Sequence, residues 1–188
     1  MSDTYYVKTF GGLEITNDNV TVNIVELFGK QLVNLLQVLL FHSEKPVQKD
    51  ELIDILWPES KNPSSALKFS IFRLRAELNE IEFFKDKEVI VTTRKGYILN
   101  PNLDWNIDFV ELEKAYNQIN DGSELLDEKE FKTARKIFGL YQGRFYASPS
   151  QLHWILQKQE IFRQMYVKTM MRTSCYLYTQ KRYDEMML

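Results

Sequence analysis

The residues best suited to recognition chemistry cluster in two places. On residues 65–78, Ser65, Phe69, Phe72, Arg73 and Ala76 share one side of a helical projection, with Lys68 and Arg75 on its flanks. Arg94 and Lys95 precede Gly96 between two short apolar runs. Guanidinium groups present a planar fork to acceptor pairs, and both kinds of cation neutralise phosphates. Residues suited to catalysis or metal binding do not assemble in the same way. His42 and His153 lie far apart, with no cysteine or carboxylate set at metal spacing, and read as structural or surface residues. Asp50, Glu51 and Asp54 read as a solvated helix face. Gly29-Lys30 lacks the glycine spacing of a phosphate loop, and no Ser, His and Asp combination has a supporting motif. The sequence therefore calls for no cofactor, no metal and no enzymatic activity.

Those groups need elements to hold them. Leu67, Ile71, Leu74 and Leu78 recur at 4-3-4 spacing, which predicts a helix over about 64–80 with that stripe in the core. Ahead of it, residues 49–57 predict a helix burying Leu52, Ile53, Leu56 and Trp57 and stopped by Pro58. Behind it, residues 89–93 and 97–100 predict two strand halves around Arg94-Lys95-Gly96, where the glycine supplies positive φ. A helix, a break, a second helix and a hairpin wing are a means of presenting a helix to the major groove of DNA. Upstream, Leu32, Leu35, Leu36, Leu39 and Leu40 predict one more helix, ended by residues 42–46. Residues 4–10, 12–15 and 20–24 predict a small antiparallel sheet over 4–26, with a turn at Asn17-Asp18-Asn19.

After Pro101 the pattern predicts helices only. Asp108 with Glu111, and Asp127 with Glu130, read as capping boxes. Ile107–Leu112 and Leu126–Phe131 read as the accompanying hydrophobic staples. Ser148-Pro149-Ser150-Gln151 reads as a third helix start, opening a helix to about Gln180. Its inward side chains would be Leu152, Ile155, Phe162, Met165, Tyr166, Met170 and Leu177, with Cys175 as a small core residue. Arg182 to Glu185 reads as the entry to another helix, and the pattern stops in mid-course after Leu188, which predicts a fragment.

Composition sets outer bounds. With 188 residues, 44% apolar and 27% charged, the chain suits one large or two small globular domains. It has no run of the length needed to span a membrane and no secretory signal at the N-terminus. A single cysteine excludes an internal disulfide and fits a reducing cytoplasm. The net charge is −2, with 12 Lys+Arg against 14 Asp+Glu in residues 1–100 and 12 of each in the remainder, so any positive surface must be local.

Residues 4–100 resemble the OmpR-type winged helix-turn-helix, through the N-terminal sheet, LIDILWP, IFRLRAEL and TTRKGYIL. Residues 103–188 resemble the start of a bacterial transcriptional activator domain, a tetratricopeptide-like module, through DFVELEKAY, LYQGRFY and RYDEMML. The pair resembles antibiotic-regulatory-protein type transcription regulators. The fold implied is an α+β winged helix-turn-helix domain over 1–102, with an N-terminal antiparallel sheet, three helices and a C-terminal hairpin wing. An all-α helical-repeat-like domain would follow over 103–188, incomplete in these residues.

The function implied is a sequence-specific DNA-binding transcription regulator, with the third helix in the major groove and the wing on the adjacent groove or backbone. The alternative is an interaction or scaffold module whose winged helix no longer binds DNA. Carried onto this sequence, the resemblance singles out Ser65, Lys68, Phe69, Ser70, Arg73, Arg75, Arg94 and Lys95. Arg73 suits guanine, and Lys68, Arg75, Arg94 and Lys95 suit phosphates. The other readings of the same residues stay open: an ion-paired face with Glu77 for the arginines, a plain polar hairpin tip for Arg94-Lys95, and base contact, partner contact or packing for Phe69 and Phe72. The partners implied are double-stranded DNA, and RNA polymerase or another regulator through the helical domain, with homodimers or tandem copies on DNA. The family often adds a phosphorylatable receiver for signal transduction by phosphorelay, and none is recognisable in these residues.

Overall fold

A computed structural model describes residues 4–119, 126–147 and 152–187. The strands are β1 (Thr4–Lys8), β2 (Glu14–Asn17), β3 (Val20–Asn23), β4 (Ile90–Thr92), β5 (Tyr97–Leu99) and β6 (Asp104–Ile107). The helices are α1 (Ile24–Leu27), α2 (Lys30–Phe41), α3 (Lys49–Leu56), α4 (Pro63–Asn79), α5 (Asp108–Ile119), α6 (Glu128–Leu140) and α7 (His153–Thr179), with 3₁₀ turns at Glu82–Phe84 and Tyr183–Met187. A four-stranded sheet has the order β3-β2-β1-β6, and β4 and β5 form a separate antiparallel pair. Contacts divide the chain into two units, one of Met1–Tyr5 with Glu14–Trp105 and the other of Tyr6–Leu13 with Asn106–Leu188. A linear division at 102/103 would keep Tyr6–Leu13 with the winged helix, whereas the contacts group it with the helical residues.

In the first unit, β2 and β3 pair from Glu14↔Asn23 to Asn17↔Val20, and Asp18 turns the chain at φ 51, a region aspartate tolerates. Two elements depart from the pattern read in the sequence. The strand expected to reach residue 26 ends at Asn23, whose side chain accepts from the Val25 amide at 3.1 Å and donates to Glu26 at 2.9 Å, so α1 starts there. The region after Pro101 is not purely helical, because β6 completes the four-stranded sheet. Thr4 donates to Asp104 at 2.6 Å, and the Trp105 and Tyr5 rings lie 5.3 Å apart.

The core of this unit is built from leucine stripes. Leu32, Leu35, Leu36, Leu39 and Leu40 of α2, Leu52 and Leu56 of α3, and Leu67, Ile71, Leu74 and Leu78 of α4 are all buried. Each such side chain contributes roughly 1.5–3 kcal/mol on leaving water. Ile53 and Trp57, expected inside, are only half-buried. Trp57 closes α3 through its amide on Ile53 O at 2.7 Å, and Pro63 opens α4 where its missing N–H costs nothing.

In the second unit, α5 packs on α6 and α6 on α7. Asp127 caps α6 as expected, accepting from the Glu130 amide at 2.7 Å while Glu130 accepts from the Asp127 amide at 2.7 Å. The Asp108 capping box is replaced by another arrangement. Its carboxylate accepts from the Phe109 amide, but also from the Thr9 hydroxyl at 2.5 Å and the Thr9 and Phe10 amides at 2.7 and 3.1 Å. Burial nonetheless raises its pKa above the usual value against these bonds. Glu111 turns instead to Lys136 and Lys114, at 2.7 and 3.1 Å.

The segment Tyr6–Leu13 is part of this core. Phe10 is fully buried among Tyr141, Phe145 and Phe162, with ring centroids at 5.1, 5.8 and 5.3 Å. Backbone bonds from Tyr146 N to Thr9 O and from Gly11 N to Arg144 O flank it.

The expected start signal at Ser148–Gln151 lies outside the described residues. On α7 the buried set is Ile155, Phe162, Thr169, Thr173, Tyr176 and Leu177, so the inward stripe differs from the one expected. Thr169 goes inside because its hydroxyl donates to Met165 O at 2.8 Å, which satisfies it locally. That register leaves Met170 and Cys175 exposed rather than in the core.

Candidate nucleic-acid interface

The candidate surface lies wholly within the first unit and is carried by α4 and the β4–β5 hairpin. Because α4 buries Leu67, Ile71, Leu74 and Leu78, the 3.6-residue period fixes what it shows on the opposite side. Ser65, Phe69, Phe72 and Ala76 repeat the same 4-3-4 spacing, and all four are exposed. Phe69 is 62% exposed and Phe72 71%, which removes packing under the wing as the reason for the pair. Lys68 and Arg73 are exposed on either side of this stripe. The first turn of α4 carries no acidic residue, and Lys61 and Ser64 are exposed at that end. Sequence reasoning passed over these two, although Lys61 stands just before the proline that starts the helix. Glu77 and Glu80 occupy the other end, so charge separates along the helix.

The two arginines differ in their commitments. Arg73 pairs with Glu77 at 3.1 Å, one turn on, in an exposed contact of about 0–1 kcal/mol that a phosphate or base can displace. Arg75 is half-buried. Its Nε and Nη2 both donate to Ile90 O, at 3.0 and 2.7 Å, and Nη2 also reaches the Thr92 hydroxyl at 2.9 Å. The guanidinium fork therefore fastens the first wing strand to α4, and Arg75 positions the wing. Ser70 is buried beside the core stripe and leaves the set of surface candidates.

The wing is held from both sides. Its register runs from Ile90↔Leu99 to Thr92↔Tyr97. At the turn, Thr93 N donates to Gly96 O at 2.8 Å, and the Thr93 hydroxyl accepts from the Lys95 and Gly96 amides at 3.2 Å each. Arg94 and Lys95 project from this closed turn into solvent. Beyond it, Val47 N donates to Tyr97 O at 2.8 Å and Tyr97 N to Val47 O at 3.0 Å. Gly96 has φ 151, and a Cβ there would lie 1.8 Å from Val47 O. The glycine is thus required by positive φ, as expected, and also by close backbone approach, which the sequence did not disclose.

Residues 25–99 match the protein family described as "Transcriptional regulatory protein, C terminal". This segment is a winged helix-turn-helix domain of the OmpR type, the class found in DNA-binding transcription regulators. In fold, the chain is similar to Mycobacterium tuberculosis EmbR, seen in complex with a low-affinity phosphopeptide. The TM-score is 0.63 at 17% identity, over 89% of this chain and 43% of that one. The chain thus spans less than half the length of that structure, across a winged helix and a following helical region. The DNA-binding domain of Escherichia coli CadC matches at 24% identity and a TM-score of 0.39, over 53% of this chain and 92% of that domain. No curated protein sequence gives a significant match.

Proposed function

We propose that this chain is a sequence-specific transcription regulator that places α4 in the major groove and the β4–β5 wing on the adjacent groove or backbone. The observation that carries the reading is the family match over 25–99, on a structure that leaves the outward side of α4 and the wing tip open. Lys68, Arg94 and Lys95 supply phosphate contacts, Ser65 a phosphate or base contact, and Arg73, released from Glu77, a guanine contact. Arg75 serves by holding the wing rather than by touching DNA. The helical unit takes the role of control or partner contact, with RNA polymerase or another regulator as its target, and copies of the chain act in the cytoplasm as dimers or in tandem on repeated sites.

The test is a selection from random duplex DNA at low salt, followed by a salt titration of the recovered site. About four neutralised phosphates give a log–log slope near −3.5. Failure to recover any duplex would overturn the reading in favour of a protein-interaction module, the role that an exposed phenylalanine pair would then serve.

A further inference from the structure

We propose that α4 reads its site chiefly through the C5-methyl groups of thymine, using Phe69, Phe72 and Ala76, rather than through a hydrogen-bond code. The inference rests on the DNA-binding reading above and goes beyond it by naming the feature of the base that is read.

The argument starts from what the outward stripe of α4 offers. Of Ser65, Phe69, Phe72 and Ala76, only Ser65 has a side-chain hydrogen-bonding group, and it sits at the helix start. The two phenyl rings occupy the middle of the stripe and are the most open side chains on it, at 62% and 71%. The arginine that would otherwise supply a second fork, Arg75, spends its Nε and Nη2 on Ile90 O and Thr92. Arg73 lies off the centre line, shared with Glu77.

The largest apolar feature among the base edges of the major groove is the thymine methyl group, and phenylalanine and alanine are side chains suited to it. The polar edge atoms of the groove are donors and acceptors, which a phenyl ring would strip of water without replacement, and the bare C–H edges offer it far less apolar surface than a methyl group. A protein partner would equally accept two phenyl rings. The flanking cations favour DNA: Lys68 beside the rings and Arg94 and Lys95 on the wing are exposed, and α4 has no acid in its first turn. Lys68 and the wing, which Arg75 ties to the same flank, stand on one side of the apolar strip and Arg73 on the other, an arrangement that matches a groove floor between two phosphate ridges.

The experiment takes the duplex recovered by selection and replaces each thymine in turn by deoxyuridine, which lacks only the methyl group. Removing one contacted methyl should weaken binding about fourfold, the equivalent of about 0.8 kcal/mol for one buried methyl-sized group. Two or more thymines should show the effect. Phe69→Ala and Phe72→Ala, both at exposed positions, should bind the thymine duplex more weakly and lose the difference between thymine and deoxyuridine. Equal affinity of the unaltered chain for thymine and deoxyuridine duplexes overturns the inference while leaving DNA binding intact. Unchanged binding by both phenylalanine variants overturns it as well and assigns the pair to a protein partner. Recovery of no duplex at all overturns the DNA-binding reading itself.

Discussion

Gly96→Ala should damage the winged unit more than any nearby surface substitution. The added Cβ would fall 1.8 Å from Val47 O and 2.7 Å from the Val47 carbonyl carbon, both backbone atoms that cannot rotate away. Relief requires Val47 and Tyr97 to separate, breaking the bonds at 2.8 and 3.0 Å between them. Two backbone hydrogen bonds contribute about 1 kcal/mol each. Holding alanine at φ 151 costs a further 1–3 kcal/mol or so. The sum is about 3–5 kcal/mol, a large share of the roughly 5–15 kcal/mol that keeps a domain folded. Urea unfolding gives the total, and amide exchange at Val47 and Tyr97 locates it, because those two amides should lose protection first. Gly29→Ala is the internal control. Gly29 has φ −61 and open space where a Cβ would go, so its cost should stay below about 1 kcal/mol. A Gly96→Ala chain within about 0.5 kcal/mol of the parent, with both amides still protected, would refute the close-approach argument.

Two further outcomes are expected. Arg75→Ala should destabilise the winged unit by about 1.5–3 kcal/mol, since Ile90 O loses a charged donor, and Arg75→Lys should restore only part of it because an ammonium cannot form the fork. Denaturant midpoints measure this, and a stability unchanged by Arg75→Ala would return the residue to a purely surface role. In the helical unit, Lys136 first and Lys114 second hold the Glu111 carboxyl below its usual pKa. A depressed carboxylate stabilises the fold above its ordinary pKa, and that contribution disappears as pH falls through the folded-state value. Glu111→Gln should therefore flatten this part of the acid limb of a stability–pH curve. Asp108, raised by burial, works with the opposite sign and favours the fold as pH falls. An identical acid limb in the Glu111→Gln chain would count against the Lys136 pairing.

The elements legible in the sequence were those whose signal repeats within one turn or one hairpin. The 4-3-4 stripe of α4 states its own buried side, and the run around Gly96 states the wing, so the scaffold of the candidate interface is legible in the sequence alone. The Asp127–Glu130 box was equally local. What escaped depended on partners distant in sequence. The strand β6 is four residues long and alternates Asp104, Trp105, Asn106, Ile107, a weak signal that becomes a strand in company with β1. The four-residue α1 is too short for periodicity, although Asn23 with Glu26 was a readable cap. Asp108 looked like an ordinary helix cap because Thr9 and Phe10, which claim its oxygens, lie about 100 residues away. At the interface, Arg75 and Ser70 flank the core stripe, where projection alone cannot separate surface from interior. The return of the wing to α4 decides the first, and burial beside Leu67, Ile71 and Leu74 the second.

The place of Phe10 has a consequence for the order in which the molecule is made. Its ring partners Tyr141, Phe145 and Phe162 are translated at least about 130 residues after it. At a synthesis rate of roughly 5–20 residues per second, the site for Phe10 is incomplete for about 8–30 s after it is added, until Phe162 is made. The residues of the winged unit are complete at Trp105, well before those partners exist. The residues of the winged unit are thus all present while Phe10 still lacks the aromatic partners that cover it.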